Sequence, residues 1–295
     1  MSPETVPSCP LCRQANSKPF DQRMFRGQRG LNRLCQTCGL VYQSPRMTQS
    51  ELADYYEQEY RLQYQGNEGP NPKDLATQQG RAKSLLQFVE GKLPPIARHL
   101  DIGCSAGLLL SSFQQAYQCI ATGIEPGTAY REYAQASGLS IYATLEDLEA
   151  AGEERYDLIS MAHVLEHLPD PVEYLAHLRT TRLTPDGYLL IEVPNLYAHD
   201  CFETAHMVSY SANTLSQTLQ KAGFTLSAIK IHGQPRSEVI PLYLSILAKA
   251  AAQAQPDFVP QPERQVALKR SIGMLRRRWL TKLVPKKAWL PVQST

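Results

Sequence analysis

The sequence predicts an α/β fold, a doubly wound parallel sheet, with a small cysteine-rich module ahead of it. Three observations predict this. From about residue 97, short apolar strand-like runs alternate with helical patterns, as a parallel sheet with crossover helices requires. That region opens on HLDIGCSAGLLL (99–110), a strand, a glycine turn and a helix start. Two Cys-x-x-Cys pairs, Cys9/Cys12 and Cys35/Cys38, precede it. The 295 residues suit one large domain or two smaller ones.

Taken in order, residues 1–45 read as a loop-rich module built around the cysteine pairs. Four thiolates give a closed tetrahedral site of the structural-zinc kind, and Gly39 fits a tight knuckle after the second pair. The seven cysteines are an odd number, and the sequence opens without a basic-then-apolar leader. Both favour metal ligation over disulfides and a cytoplasmic setting. Residues 48–62 read as a helix, with Thr48 and Glu51 at capping-box spacing. Residues 65–74 are a Gly/Pro/Asn linker, and 75–93 carry Ala82, Leu85, Leu86 and Val89 at helical spacing.

Strands are then expected at 97–102, 119–125, 139–143, 156–162, 187–193, 224–232 and 241–248. Helices are expected at 107–117, 127–137, 145–151, 171–182 and 211–222. The last two strands are joined by a short Gly-Gln-Pro loop that cannot hold a crossover, so antiparallel pairing enters the sheet there. Residues 250–263 form an Ala/Gln/Pro linker. The expected divisions are a zinc-binding module (1–47), a helical lead-in (48–95), a ligand-binding domain (96–250) and a linker with a basic tail (251–295). The longest strongly apolar run, Val239–Ala248, is too short to span a bilayer.

Charge is unevenly spread. The net +2 includes nine Lys or Arg and no acid from Arg264 onward, which leaves 21 basic against 28 acidic residues, a net of −7, in the rest. The tail segment 264–289 also holds both tryptophans. It reads first as a solvated helix packed on the acidic body, next as an amphipathic helix on anionic lipid, and then as a phosphate-binding segment for RNA.

In open α/β sheets the ligand lies beyond the carboxyl ends of the strands. Asp101 ends the first strand; Gly103, Cys104, Ser105 and Gly107 form the turn; Glu125 in GIEPG ends the second strand, where a carboxylate can accept from both ribose hydroxyls. A dinucleotide would place a pyrophosphate over this turn, against Asp101. The sulfonium and ammonium of S-adenosylmethionine suit that carboxylate better. Simple capping of the turn by Asp101 is the plainer alternative.

Four segments, HLDIGCSAGLLL, GIEPG, YDLISMAHVLEHLPDP and LTPDGYLLIEVPN, closely resemble the class I S-adenosylmethionine-dependent methyltransferases over roughly residues 80–250. The resemblance implies a Rossmann-like sheet of seven strands with the last antiparallel. It also implies a glycine turn on the methionine moiety, Glu125 on the ribose, Glu146 and Asp147 near adenine, and Ala162 and His163 lining the cofactor. CQTCGLVYQSPRMTQSELADYY and HVLEHLPDP further resemble a bacterial subgroup with a zinc module, associated with sugar and surface-polysaccharide biosynthesis. That implies a small polar acceptor of the sugar class. CFETAHMVSYS lacks the paired histidines of sugar C-methyltransferases, so C-methylation is not implied.

Methyl transfer needs alignment of the nucleophile and commonly a general base. His163, after the fourth strand, and His206, after the fifth, are the candidates, against plain cofactor lining and helix-cap packing. Glu166 is a candidate to orient His163 or to tie down its loop. Tyr210 accompanies His206 beyond the fifth strand, and His199 and Tyr197 are weaker candidates. Cys119 is expected in the core and Cys201 at the surface. The rival readings are an RNA base methyltransferase with a zinc module, a non-catalytic adenosyl-binding module, and a nicotinamide-dependent oxidoreductase. Related RNA enzymes often carry His in the second ligand pair, where this chain has Cys35 and Cys38.

Overall fold

A computed structural model describes residues 4–25, 28–48, 51, 69–152, 155–251 and 258–291. Most of the helix expected over 48–62 lies outside these. Its start is visible: the Thr48 N–H donates to Glu51 Oε2 at 2.9 Å and the Glu51 N–H donates to Thr48 Oγ1 at 3.3 Å.

The strands of the described residues form two sheets. The larger holds β4 (Arg98–Ile102), β5 (Ile120–Ile124), β6 (Ser140–Tyr142), β7 (Tyr156–Ala162), β8 (Leu183–Pro194), β10 (Phe224–His232) and β11 (Tyr243–Ala250). Its order is β10-β11-β8-β7-β4-β5-β6. β4 pairs in parallel with β5 and with β7, and β7 with β8, while β11 runs antiparallel to both β8 and β10. This is the Rossmann-like seven-stranded sheet with its last strand antiparallel. The order reverses between β4 and β7, so their carboxyl ends open a crevice there.

The crossover helices are α2 (Leu108–Tyr117), α3 (Thr128–Ala136), α4 (Leu145–Ala151), α5 (Pro171–Thr181) and α6 (Ala212–Lys221), preceded by α1 (Pro72–Val89). α1 starts where Asn71 accepts from the Asp74 N–H and Pro72 presets the first turn. It buries Ala82, Leu85, Phe88 and Val89 against Leu109 and Phe113 of α2. β8 begins four residues earlier than expected, because Leu183 already pairs with Tyr156 across an irregular register.

The N-terminal module departs from the loop-rich expectation. β1 (Ser17–Phe25) and β2 (Gln28–Cys35) form a long antiparallel hairpin, joined by β3 (Val41–Gln43). Charged and polar residues break its alternation, so the strands read as loop; here mutual pairing, more than side-chain burial, holds them. The module is also not separate. β3 pairs with β9 (Val208–Ser209), which belongs to the segment after the fifth strand of the main sheet. Lys221 Nζ reaches Leu11 O at 2.8 Å, and the Glu263 N–H donates to Cys38 O at 3.1 Å.

The basic tail forms α7 (Val266–Leu283) and α8 (Pro285–Ala288). It docks through backbone carbonyls as well as through the ion pairs Arg270–Asp200 and Lys269–Glu263. Buried Arg270 donates to the carbonyls of Leu196 and, at 3.2 Å, His199, and Arg277 donates to Ala198 O at 3.1 Å. Gly273 lies against Tyr197 O, where any Cβ would collide. Cys201 is buried rather than exposed, with Arg270 Nη1 3.8 Å from its sulfur. Cys104 and Cys119 are core residues. No helix among the described residues is long and apolar enough to cross a membrane.

Candidate functional site

Two constellations stand out. In the first, Cys9 Sγ and Cys38 Sγ are 3.6 Å apart, Cys12 Sγ and Cys35 Sγ are 3.4 Å apart, and all four sulfurs lie within 4.8 Å of one another. A tetrahedral zinc with bonds of about 2.3 Å has sulfur–sulfur edges of about 3.8 Å. The donor set therefore fits a closed structural site, and Gly39 at φ +83° turns the knuckle.

The second is a cavity of about 1530 Å³ at the carboxyl ends of β4, β5 and β7. It exceeds the few hundred to about 1,000 Å³ usual for one ligand, and so has room for two. It is lined by Asp101, Gly103, Cys104, Ser105, Glu125, Glu146, Ala162, His163 and His206 of the expected site residues. Gly107 and Asp147 do not line it. Gly107, at φ +78°, meets Leu139 and Ala134 so closely that a Cβ would clash. Asp147 closes the capping box of α4 with Thr144.

The glycine turn is held from two sides. Glu125 accepts from the Ser105 N–H and the Gly127 N–H, both at 2.9 Å. From α1, Gln78 Oε1 accepts from the Ala106 N–H at 3.2 Å, and Gln78 donates in turn to Asp74. Ser105 has φ +52°, so the position that often carries a middle glycine keeps the left-handed backbone without one. Beneath the turn, Ser160 Oγ donates to Asp101 Oδ1 at 2.6 Å, and His99 Nε2, 2.7 Å away, donates to Ser160 while Asp101 is ionised. Burial is the main force pushing the Asp101 carboxyl up to about 7, and nearby Glu125 adds to it. Burial likewise pushes His99 down to about 3.

The histidine side of the cavity hangs on two buried acids. Glu192, fully buried in β8, receives Arg81 Nε at 2.9 Å, His163 Nε2 at 3.2 Å and Ser245 Oγ at 3.2 Å, with His232 Nε2 3.4 Å away. Burial works against its charge, but these partners hold it well below the usual carboxylate range. Glu166, in the short turn Leu165–His167, lies 3.5 Å from His163 Nδ1. Burial opposes this charge as well, yet His163, His167 and His206 together hold Glu166 at about 2. His163 thus sits between two carboxylates with a left-handed φ of +60°. Burial and Arg81 press its pKa down, but the two acids prevail and raise it.

Of the weaker candidates, His199 lines the cavity. Tyr197 donates to Glu263 at 2.6 Å as a tail fastening, and Tyr210 is buried away from the cavity. Residue-by-residue reading missed Asp74, Gln78 and Arg81 of α1, and Glu192. The last left a signal, a lone acid inside the apolar strand YLLIEVP, where a charge needs a partner. In the N-terminal module, Arg23 is engaged by Asp21 and Asp200, and Arg33 by Ser17.

Comparison with known proteins agrees with this geometry. A family model described as "Methyltransferase domain" matches residues 75–229. A ubiquinone biosynthesis O-methyltransferase of Haemophilus ducreyi is 35% identical over 107 residues, covering 32% of this chain and 44% of that protein. The namesake from Cereibacter sphaeroides is 36% identical over 104 residues, 33% of this chain and 41% of that protein. The chain therefore spans less than half the length of these curated relatives. Among solved structures, a 1,6-didemethyltoxoflavin-N1-methyltransferase of Burkholderia thailandensis, with bound S-adenosylhomocysteine, superposes with a TM-score of 0.53 at 19% identity. It covers 78% of this chain and 99% of its own. A magnesium protoporphyrin IX methyltransferase from Synechocystis gives 0.51 at 16% identity, covering 69% and 100%. At such identities the structures speak for the fold.

Proposed function

The chain belongs to the methyltransferase-domain family, and from that premise we propose that it transfers a methyl group from S-adenosylmethionine to an oxygen of a small polar acceptor. The observation that carries this reading is a single cavity lined both by the glycine turn and by a cluster of histidines. S-adenosylmethionine would supply an electrophilic methyl on a sulfonium. Asp101, Gly103, Cys104 and Ser105 are proposed to receive its methionine end, Glu125 its ribose, and Glu146 and Ala162 the remainder. Gly107 supports the turn from outside. Asp147 drops out of this set, since it does not line the cavity. His163 is proposed as the general base: Glu192 orients the ring through Nε2, Nδ1 takes the proton, and Glu166, 3.5 Å from Nδ1, stabilises the imidazolium that forms. His206 stands on the acceptor side.

Oxygen is favoured as the acceptor atom by the names of the curated relatives. The sugar class rests on the sequence resemblance alone. The four cysteines are proposed to hold structural zinc. Against the RNA reading stands the engagement of Arg23 and Arg33 within the protein. Contact of the tail with an anionic membrane, and the cytoplasmic setting, stay with this proposal.

The test is transfer of labelled methyl from S-adenosylmethionine into panels of phenolic and sugar acceptors and a metabolite extract, with S-adenosylhomocysteine affinity measured by calorimetry. His163→Ala should lower turnover by about 10²-fold or more, in the range of lost acid–base catalysis, and change cofactor affinity little. Cofactor binding with no turnover on any acceptor would favour a non-catalytic module. NAD binding without S-adenosylmethionine binding would remove the proposal.

A further inference from the structure

Around Glu166 the cavity wall carries more ligating power than methyl transfer to a neutral acceptor uses. Glu166 is buried, and neither carboxylate oxygen has a hydrogen-bond partner among the described residues; His163 Nδ1 is 3.5 Å away. Buried polar atoms normally have a partner, so two left without one ask for an explanation. Two further imidazoles converge on it. His167 Nδ1 is fixed by the Ala205 carbonyl at 3.0 Å, which turns Nε2 toward Glu166 Oε1 at 3.9 Å. His206 Nδ1 is fixed by the Cys201 carbonyl at 2.9 Å, which likewise commits Nε2 to the other side of the ring. The two rings stand edge to face with centroids 4.8 Å apart. One ligand atom from each of Glu166, His167 and His206 lies within 4.8 Å of the others, and all three residues line the cavity.

From this arrangement we infer that Glu166, His167 and His206 form a second metal site, distinct from the four cysteines. It would take a divalent first-row cation such as Zn2+ and keep at least one position open to the acceptor. The chemistry fits point by point. Two imidazoles and one carboxylate are a donor set for zinc with an open position. A backbone carbonyl on the far nitrogen of each ring is the outer-shell support that metal-bound histidines usually have. Bonds of about 2.1 Å would draw the ligand atoms to about 3.4 Å apart, within reach of side-chain rotation. Glu203, 3.7 Å from His206 Nε2 and also on the cavity wall, is placed to stand behind the ion. The acceptor class that such an ion recognises is one with a hydroxyl or paired oxygen donors.

This inference rests on the cavity being the acceptor site, and its test is read independently of turnover. Full-length protein is equilibrated with Zn2+, dialysed, and its zinc measured by mass spectrometry; parallel samples are loaded with Co2+ and read by absorption. The wild type should hold two equivalents, and Glu166→Gln and His206→Gln about one. The cobalt–thiolate band of the cysteine site should persist in both, which certifies folding of the module beside β9. Cys35→Ser, which leaves three thiolates, should weaken that band, whereas Glu166→Gln should not. A single equivalent in the wild type, unchanged by Glu166→Gln and His206→Gln, would overturn the site. Two equivalents in a protein that methylates no acceptor would uphold the metal site and count against the enzymatic reading alone.

Discussion

At the scale of the residue, Asp101 decides most. Its carboxyl lies under the glycine turn and is raised to about 7 by burial. In the ligand-free protein it is therefore about half protonated at neutral pH, and a cationic ligand over the turn favours the ionised form. The sign follows: below about 7 binding must first expel a proton, and above it the charge is already there. Affinity for S-adenosylmethionine should rise about tenfold from pH 6 to pH 8, as the ionised fraction does. Asp101→Asn should bind more weakly and lose this dependence, apart from the titration of the ligand's own amine, which both proteins share. Calorimetry at several pH values checks it, and equal slopes for the two proteins would refute the assignment. Asp101, Glu125 and the turn were legible because their chemistry is local, a strand end and a tight turn. Glu192 and Arg81 were not, because an ion pair across 111 positions leaves no trace in spacing.

At the scale of the element, α1 and α7 carried amphipathic patterns that told only part of their story. The apolar positions of α1 were readable, but its polar face, with Asp74, Gln78 and Arg81, acquires meaning only against the turn and β8. α7 docks by a polar face. Arg270, Gly273 and Arg277 face the protein, while Leu268, Ile272, Leu275, Trp279 and Leu283 form a stripe of exposed apolar side chains at helical spacing, each more than half exposed. Arg276, Arg278, Lys282, Lys286 and Lys287 stand exposed around it. Such a stripe set among cations suits an anionic bilayer surface. Full-length protein should co-sediment with phosphatidylserine-containing vesicles and much less with neutral ones. Trp279→Glu should cut the bound fraction by about tenfold, with its melting temperature unchanged because the side chain is exposed. Sedimentation that ignores both lipid charge and this substitution would remove the membrane reading.

At the scale of the whole molecule, the strand order and the antiparallel last strand were legible, because alternation and loop length constrain them. The hairpin of the N-terminal module and its sharing of β9 were not. β9 is two residues long, and only its partner makes it a strand. Through it the cysteine site supports the wall that carries His206: the Gln43 N–H donates to Met207 O at 2.8 Å. Chelation of the proposed zinc, or Cys35→Ser, should therefore lower the melting temperature on the order of 10 °C, as expected for a loss of about 4 kcal/mol in a chain of this size. Turnover should fall more than S-adenosylhomocysteine affinity, since the glycine turn lies on another part of the cavity. A melt indifferent to chelator would contradict a structural ion. The contacts made by Glu263 have a kinetic consequence as well. It bonds to Cys38 of the module, Tyr197 of the cavity loop, Ser211 at the head of α6 and Lys269 of α7. Contacts joining such distant positions cost the most loop closure and form late. During folding, the glycine-turn end of the cavity, built on neighbouring strands, should thus be complete while the histidine end still waits for the module and the tail helix to meet.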